Sequence, residues 1–227
     1  WGHGIVMGGG LGILGGCSHR VGTESTRIAL PEITIGLFPD AGASWYLTHM
    51  DPDFARFIAL TGCQLTAKDG IRSNLLDYLV PNASREMTLE LLESTVWTGT
   101  ESDRDIMSQL CASIVDEERF GPGKLDAFEE DIRLVFGAAP GGDEQIDLAT
   151  IAARLELEND GDNWFVKAGA AFLAGCPTTA HLVLEQVRRA SSMTLKEMFQ
   201  QELCMAMQCA FHPDFVEGVR ALLIEKD

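Results

Sequence analysis

Two carboxylic acids eight residues apart, Glu32 and Asp40, and a run of three glycines upstream, Gly8 to Gly10, are the residues of this chain whose types and spacing could do chemistry. The apolar run Ile5, Val6, Met7 meets the glycines, and apolar residues at helical spacing resume after them. That pattern reads as a strand, a bare-backbone turn and a helix start, whose free N–H groups can face a developing negative charge. The same pattern also serves simple close packing of a helix on a strand, and residue types alone leave both readings open. In RIALPE, the β-type residues Ile28, Ala29 and Leu30 end at Pro31, and Glu32 follows in apolar surroundings. A carboxylate there is partly desolvated, which suits a general base or a nucleophile. Asp40, in LFPDAGAS, precedes a predicted helix. It reads either as a second functional acid or as that helix's N-cap, and Glu32 reads equally as an ordinary loop residue.

VMGGGLG, RIALPEITIGLFPDAG, ALTGCQLTAKDG, SSMTLKEMFQQELCMAMQC and DFVEGVRALLIEKD, taken in order, resemble the enoyl-CoA hydratase and isomerase (crotonase) superfamily. Within it they look like the 3-hydroxyisobutyryl-CoA hydrolase branch. The likeness runs nearly end to end and is weakest between residues 81 and 160. It implies an α/β fold, the C-terminal portion of a ClpP/crotonase-like β-β-α spiral with a mainly helical second half.

For chemistry, the resemblance implies that the N–H of Gly9 is one of two backbone donors to a thioester oxygen. Gly8 and Gly10 would shape the turn and line the substrate, and the second donor would come from an upstream loop. Losing one such donor typically costs about 10²- to 10³-fold in rate. Glu32 matches the glutamate that acts on the thioester carbonyl, either as a nucleophile giving an acyl anhydride or as a base for water. Asp40 matches the aspartate that holds the substrate's 3-hydroxyl. Phe38 and Lys226 match substrate-contacting positions, although Lys226 reads as well as an exposed terminal lysine. Hydratases of the superfamily carry a second glutamate where this chain has Gly12, and a small residue where it has Asp40. With one of the paired carboxylates absent, hydrolysis is favoured over addition of water to a double bond.

The reaction implied is hydrolysis of 3-hydroxyisobutyryl-CoA, or a related short 3-hydroxyacyl-CoA, to the free acid and CoA, as in valine breakdown. CoA is part of the substrate, and no metal or redox cofactor is implied. Earlier strands and helices of the family pattern would precede Trp1, together with any presequence, and the resemblance points to a mitochondrial location. It implies an acyl-CoA substrate and a homo-oligomer. Two alternatives stand beside this reading: a structural subunit of the mitochondrial ribosome with the same fold and protein partners there, and an enoyl-CoA hydratase or isomerase.

Composition sets independent bounds. At 227 residues, 46% apolar and 22% charged, the chain has the balance of a globular protein with length for a sizeable core. No apolar run approaches the roughly 20 residues needed to span a bilayer, so no membrane partner is expected. The formal charge is −17, and residues 84–162 hold 20 of the 34 acids but 6 of the 17 bases. Such a charge disfavours direct contact with nucleic acid or anionic lipid. The six cysteines occur singly and read as buried thiols, with no metal-ligand spacing.

The elements that must position these residues follow from periodicity. Strands are predicted at 3–7, 26–30 and 75–80, and helices at 9–16, 41–49, 52–61 and 66–73, with a catalytic-looking loop at 31–40 between them. From residue 84 the pattern is helical: 84–96, 102–116, 123–136, 146–157, 163–174, 178–190, 195–210 and 215–223. Breaks are expected at residues 121–123, 139–143 and 159–163. Capping boxes are predicted at Thr194 with Glu197 and at Asp214 with Glu217. Leu195, Met198, Phe199, Leu203 and Met207 are expected to face the core. The chain divides on this reading into a partial core with the glycine turn and acid loop (1–80), an acidic helical region (81–162) and a C-terminal helical region (163–227).

Overall fold

A computed structural model describes residues 1–138, 146–157 and 163–226. Three short strands form one sheet: β1 (Ile5–Met7), β3 (Arg27–Ala29) and β4 (Leu65–Thr66), in the order β1-β3-β4. β1 and β3 run parallel with Met7 opposite Ala29, and β4 pairs antiparallel to β3. A second, parallel pair joins β2 (Val21–Gly22) to β5 (Tyr78–Leu79). Because β1 and β3 are parallel and in register, the segments that leave them, Gly8 and Leu30–Pro31, emerge at the same end of the sheet. In open α/β sheets that carboxyl end is where ligands bind.

The helices are α1 (Gly9–Gly15), α2 (Ala43–Leu47), α3 (Pro52–Thr61) and α4 (Ala67–Arg72). They continue as α5 (Arg85–Ser94), α6 (Ser102–Ser113), α7 (Lys124–Ala127), α8 (Glu129–Phe136) and α9 (Leu148–Leu157). The last four are α10 (Trp164–Ala174), α11 (Pro177–Ala190), α12 (Leu195–Phe211) and α13 (Pro213–Val219), which runs into a π-helical segment, Arg220–Glu225. Every residue of α3 from Phe54 to Thr61 except Arg56 is buried, so this helix is the centre on which α8, α10 and α11 pack. Its start follows from Asp51, whose carboxylate accepts the Asp53 N–H at 2.9 Å, and from Pro52 in the first turn. Phe57 stacks on Phe165 and meets Phe136 and Trp164 edge-on, with ring centroids 5.1–5.8 Å apart. One apolar cluster runs from Val6 through α3 and α8 to Val183, drawing on all three stretches of the chain.

The structure corrects several expectations. The helix predicted over 123–136 is two helices, because Phe128 leaves helical geometry (φ −119°) and turns its ring onto Trp164 and Phe165. The strand expected at 75–80 is paired only at Tyr78–Leu79, and the short strands β2 and β4 were not read at all. On α12, Leu195, Phe199, Leu203 and Met207 are 45–64% exposed, and the buried positions are Met198, Glu202 and Cys209. A strict spacing of four drifts around a helix of 3.6 residues per turn, so that row slides off the core face. The box at Thr194 and Glu197 forms, but the one at Asp214 does not. His212 is the N-cap of α13, and its Nδ1 accepts the Asp214 N–H. Cys63, Cys111 and Cys209 are buried as expected, whereas Cys17 and Cys204 are exposed. The break expected at 139–143, and most of the one at 159–163, lie outside the described residues.

Asp69 ties the sheet to the acidic region. Fully buried, it accepts the Thr66 N–H and hydroxyl at 2.9 and 2.7 Å through one oxygen and the Leu125 N–H at 2.8 Å through the other. Removing the carboxylate breaks a capping box and orphans a buried N–H at the start of α7. Asp69→Ala is expected to lower unfolding free energy by roughly 2–4 kcal/mol in urea titrations. A loss below about 1 kcal/mol would show that water replaces these bonds.

Candidate active site

Glu32 sits in a 3-10 turn, Pro31–Ile35, opened by the fixed φ of Pro31 and closed by Gly36 in left-handed conformation (φ 68°). The turn is held from several sides. Glu32 O accepts the N–H groups of Gly36 and Leu37, Ile33 O accepts the Cys176 N–H at 3.0 Å, and α13 packs across it. Its side chain is 6% exposed, and its Oε2 is buried with no hydrogen-bond partner among the described residues. Burial raises the Glu32 carboxyl to about 7 against the opposing pull of its own N–H, with a lesser upward push from the negative charge of Asp40. The expected desolvation of this acid is therefore observed, in a turn that connects β3 to α2.

Asp40 is half-buried, and burial raises its carboxyl above the usual aspartate range against the pull of its own N–H. Its side chain does not cap α2. The N-cap is Gly42 (φ 87°), the Asp40 carbonyl accepts the Ala43 N–H at 3.0 Å, and the buried N–H groups on either side are met by a residue far away in sequence. Glu202 of α12 accepts the Gly42 N–H at 2.8 Å and the Ser44 N–H at 2.9 Å. Gln186 of α11 donates to Pro39 O at 2.7 Å and to Ser44 Oγ at 3.0 Å. Tyr46 reports the combined field: its hydroxyl stays protonated far above the ordinary range, first through burial, then through the charges of Glu32, Glu202 and Asp40.

The glycine turn stands beside this pair. Gly8 takes φ 51°, ψ −131°, open in practice to glycine alone, and its carbonyl accepts the Leu11 and Gly12 N–H groups. The N–H groups of Gly9 and Gly10 meet no acceptor among the described residues, and a Cβ at Gly8, Gly9 or Gly10 would touch nothing within 4 Å. Close packing within the described residues does not explain these glycines. Gly12 is different, since a Cβ there would fall onto the Ala41 carbonyl oxygen and lie 2.8 Å from the Ala41 Cβ. Helix α1 is thus seated directly on the turn that carries Asp40.

Of the other residues singled out from sequence, Phe38 is fully buried, a core position with no open face toward a ligand. Lys226 is exposed at the end of the π-helical segment, in left-handed conformation (φ 58°), and its backbone N–H donates to Ala221 O. A cleft of about 1100 Å³ between α2, α3 and α11, lined in part by Arg56, His181 and Arg188, contains neither Glu32 nor Asp40. Glu202, Gln186 and Tyr46 were missed in the sequence. The available signal was that Glu202 falls four residues after Met198 and seven before Cys209, a charge placed on the stripe that proves buried.

The profile of the family "Enoyl-CoA hydratase/isomerase" matches residues 1–227. The chain is similar to proteins named "3-hydroxyisobutyryl-CoA hydrolase, mitochondrial" from Gallus gallus (31% identity over 99% of this chain and 56% of that protein) and Homo sapiens (29%, 99% and 56%). It is also similar to "3-hydroxyisobutyryl-CoA hydrolase 1" of Arabidopsis thaliana (30%, 99% and 58%). The chain therefore spans little more than half the length of these relatives. Among solved structures it is similar to a carnitinyl-CoA dehydratase from Mycobacterium thermoresistibile (TM-score 0.78, 25% identity, 96% of this chain and 58% of that one). It is also similar to an enoyl-CoA hydratase from Rhodobacter sphaeroides (TM-score 0.74, 26% identity, 99% and 59%).

The raised Glu32 carboxyl has a consequence for stability. Between about 4.5, its ordinary value, and about 7, the folded chain keeps a proton that the unfolded chain has lost. Stability from this group is therefore full below 4.5, falls as pH rises through that window, and is gone above about 7, a change of roughly 3 kcal/mol. Glu32→Gln is expected to match the parent in denaturant titrations at pH 5 and to exceed it by about 2 kcal/mol at pH 8. An equal difference at both values would overturn the assignment.

Proposed function

The chain belongs to the enoyl-CoA hydratase/isomerase family, and from that premise we propose that its protein hydrolyses a short 3-hydroxyacyl-CoA thioester, with 3-hydroxyisobutyryl-CoA the best candidate. The observation that carries this reading is the Glu32 carboxyl, buried and raised to about 7, at the same end of the sheet as the glycine turn; among the described residues one of its oxygens and the Gly9 and Gly10 N–H groups have no partner. A thioester oxygen received by the Gly9 N–H becomes electron-rich as its carbon is attacked, and a backbone donor at a helix start stabilises that charge. Glu32, about half ionised near pH 7, can take a proton from water. The new C–O bond forms at the carbonyl carbon, the C–S bond breaks, and the proton held by Glu32 passes to the departing thiolate, leaving the acid and CoA. Asp40 would accept the substrate's 3-hydroxyl. As written, the reaction consumes only water and the thioester, and CoA enters as substrate.

Two solved structures similar to this chain bear the names of a hydratase and a dehydratase, so addition of water to an enoyl-CoA is the competing reading. Gly12 supports hydrolysis. The hydratases' second glutamate stands at this position by resemblance, and here the Ala41 backbone occupies the space any side chain would need. The names of the relatives suggest a mitochondrial setting for this protein as well. No observation favours the ribosomal reading.

Thiol release from 3-hydroxyisobutyryl-CoA is the direct test, using the protein together with whatever sequence flanks this stretch in its gene. Glu32→Gln and Asp40→Asn are each expected to lower kcat/KM by 10²-fold or more, about 2.7 kcal/mol of transition-state stabilisation. Absence of CoA release from every short 3-hydroxyacyl thioester, with hydration of an enoyl-CoA instead, would reverse the assignment. Gly12→Ala is expected to lose roughly 1–3 kcal/mol of stability by forcing Ala41 outward, and thiol release should fall with it. Unchanged stability and turnover would mean that the two backbones are not in contact.

A further inference from the structure

Two buried side chains that the proposed chemistry does not use converge on the backbone around Asp40. Glu202 is 5% exposed and Gln186 is 1% exposed. The first accepts from Gly42 and Ser44, the second donates to Pro39 and Ser44, so four hydrogen bonds of 2.7–3.0 Å pin the residues on either side of Asp40. Between them the chain passes through two consecutive left-handed residues, Ala41 at φ 56° and Gly42 at φ 87°. An alanine in that region is strained and persists only where its surroundings over-determine it. The adjoining helix supplies no side-chain cap of its own, and at five residues it is too short to hold the turn by itself.

The same turn touches the glycine helix, because the Ala41 carbonyl lies against Gly12. Its position therefore sets the distance between α1 and Asp40. A nearby aspartate would be the usual cap for such a helix. Drawing the cap from α12 instead relieves the Asp40 carboxylate of that task, and adds a second buried acid, after Glu32, to the surroundings of Tyr46, a costly arrangement unless its bonds are needed.

We propose that Glu202 is a positioning residue, with Gln186 as its second anchor, that holds the Pro39–Ser44 turn so that Asp40 faces the substrate's 3-hydroxyl and thereby sets the preference for hydroxylated over plain acyl thioesters. This deepens the hydrolase reading and rests on it for the role of Asp40. Glutamine at 202 keeps the shape but has one acceptor oxygen where two are used.

The test has two arms. In the first, amide hydrogen exchange is followed without substrate. In Glu202→Gln the Gly42 and Ser44 amides are expected to exchange at least tenfold faster, while the α3 amides from Phe57 to Leu60 keep their protection, which shows that the fold is intact. Gln186→Ala is the second variant: it frees Pro39 O and Ser44 Oγ but leaves both amides bonded to Glu202, so Gly42 and Ser44 should speed less than in Glu202→Gln. In the second arm, kcat/KM is measured for 3-hydroxyisobutyryl-CoA and for isobutyryl-CoA, which lacks the hydroxyl. Glu202→Gln is expected to lower the ratio of the two tenfold or more, and the double variant with Asp40→Asn should fall no further than Asp40→Asn alone. Unchanged exchange at Gly42 and Ser44, an equal fall with both substrates, or a multiplicative double variant would each overturn the positioning role. If Asp40→Asn itself leaves the ratio at the parent value, the reading of Asp40 fails and the specificity role falls with it. A changed ratio in Asp40→Asn but not in Glu202→Gln overturns the role of Glu202 alone.

Discussion

A buried carboxyl group with one oxygen that meets no partner among the described residues is a standing cost to the folded state, and the packing around Glu32 has to exceed it. The turn that carries it does not rely on its own five residues. The central core takes up its Ile33 side chain, which is fully buried, the Cys176 N–H holds the Ile33 carbonyl, and α13 closes over it. Each of these contacts comes from a part of the chain more than 140 residues away or from the central core. The same enclosure that destabilises the ionised acid raises its proton affinity toward neutrality, so the cost and the chemical capacity have one physical cause.

The acidic character of the middle of the chain is partly absorbed within the fold. Arg133 bridges Asp51, Asp53 and Glu129, Arg72 bridges Asp126 and Glu129, and Lys68 pairs with Glu117. These pairs are largely solvent-facing, and pairs of that kind contribute little individually. What joins α8 to α3 is the burial of Ile132, Val135 and Phe136 against Phe54 and Phe57. The ion pairs orient that contact: the Arg133 and Arg72 guanidinium groups also lie over the Phe54 ring, at 5.6 and 4.8 Å from its centroid.

Helix α12 shows why part of the site could not be read from spacing. Its apolar residues at intervals of four suggested a core stripe, yet they lie outward, while the inward row carries an acid. Hydrophobic periodicity finds a buried face by assuming that buried means apolar. Glu202 is buried because two N–H groups at the start of α2 need an acceptor, and that need exists only once α12 and α2 are side by side. The N-cap alternative for Asp40 fails for the same reason. Asp40 stands where local rules place an N-cap, and it is released from that task by the distant glutamate.

The sequence by itself determined the elements whose signals are local: the glycine-opened α1, the end of β3 at Pro31 and the turn after it, α3, α4, the Thr194 capping box, and the succession of helices after residue 84. It also marked Glu32 and Asp40 as the acids to watch, through their neighbours and their resemblance to a known family. Only the tertiary structure decided what those acids are worth. The parallel pairing of β1 with β3 brings the glycine turn and Glu32 to one end of the sheet, the packing of Gly12 on Ala41 leaves no room for a side chain at residue 12, and Glu202 bonds the turn that carries Asp40. Burial, proton affinity and the geometry of a turn depend on groups distant in the chain, and a pattern of neighbours along the sequence carries no record of them.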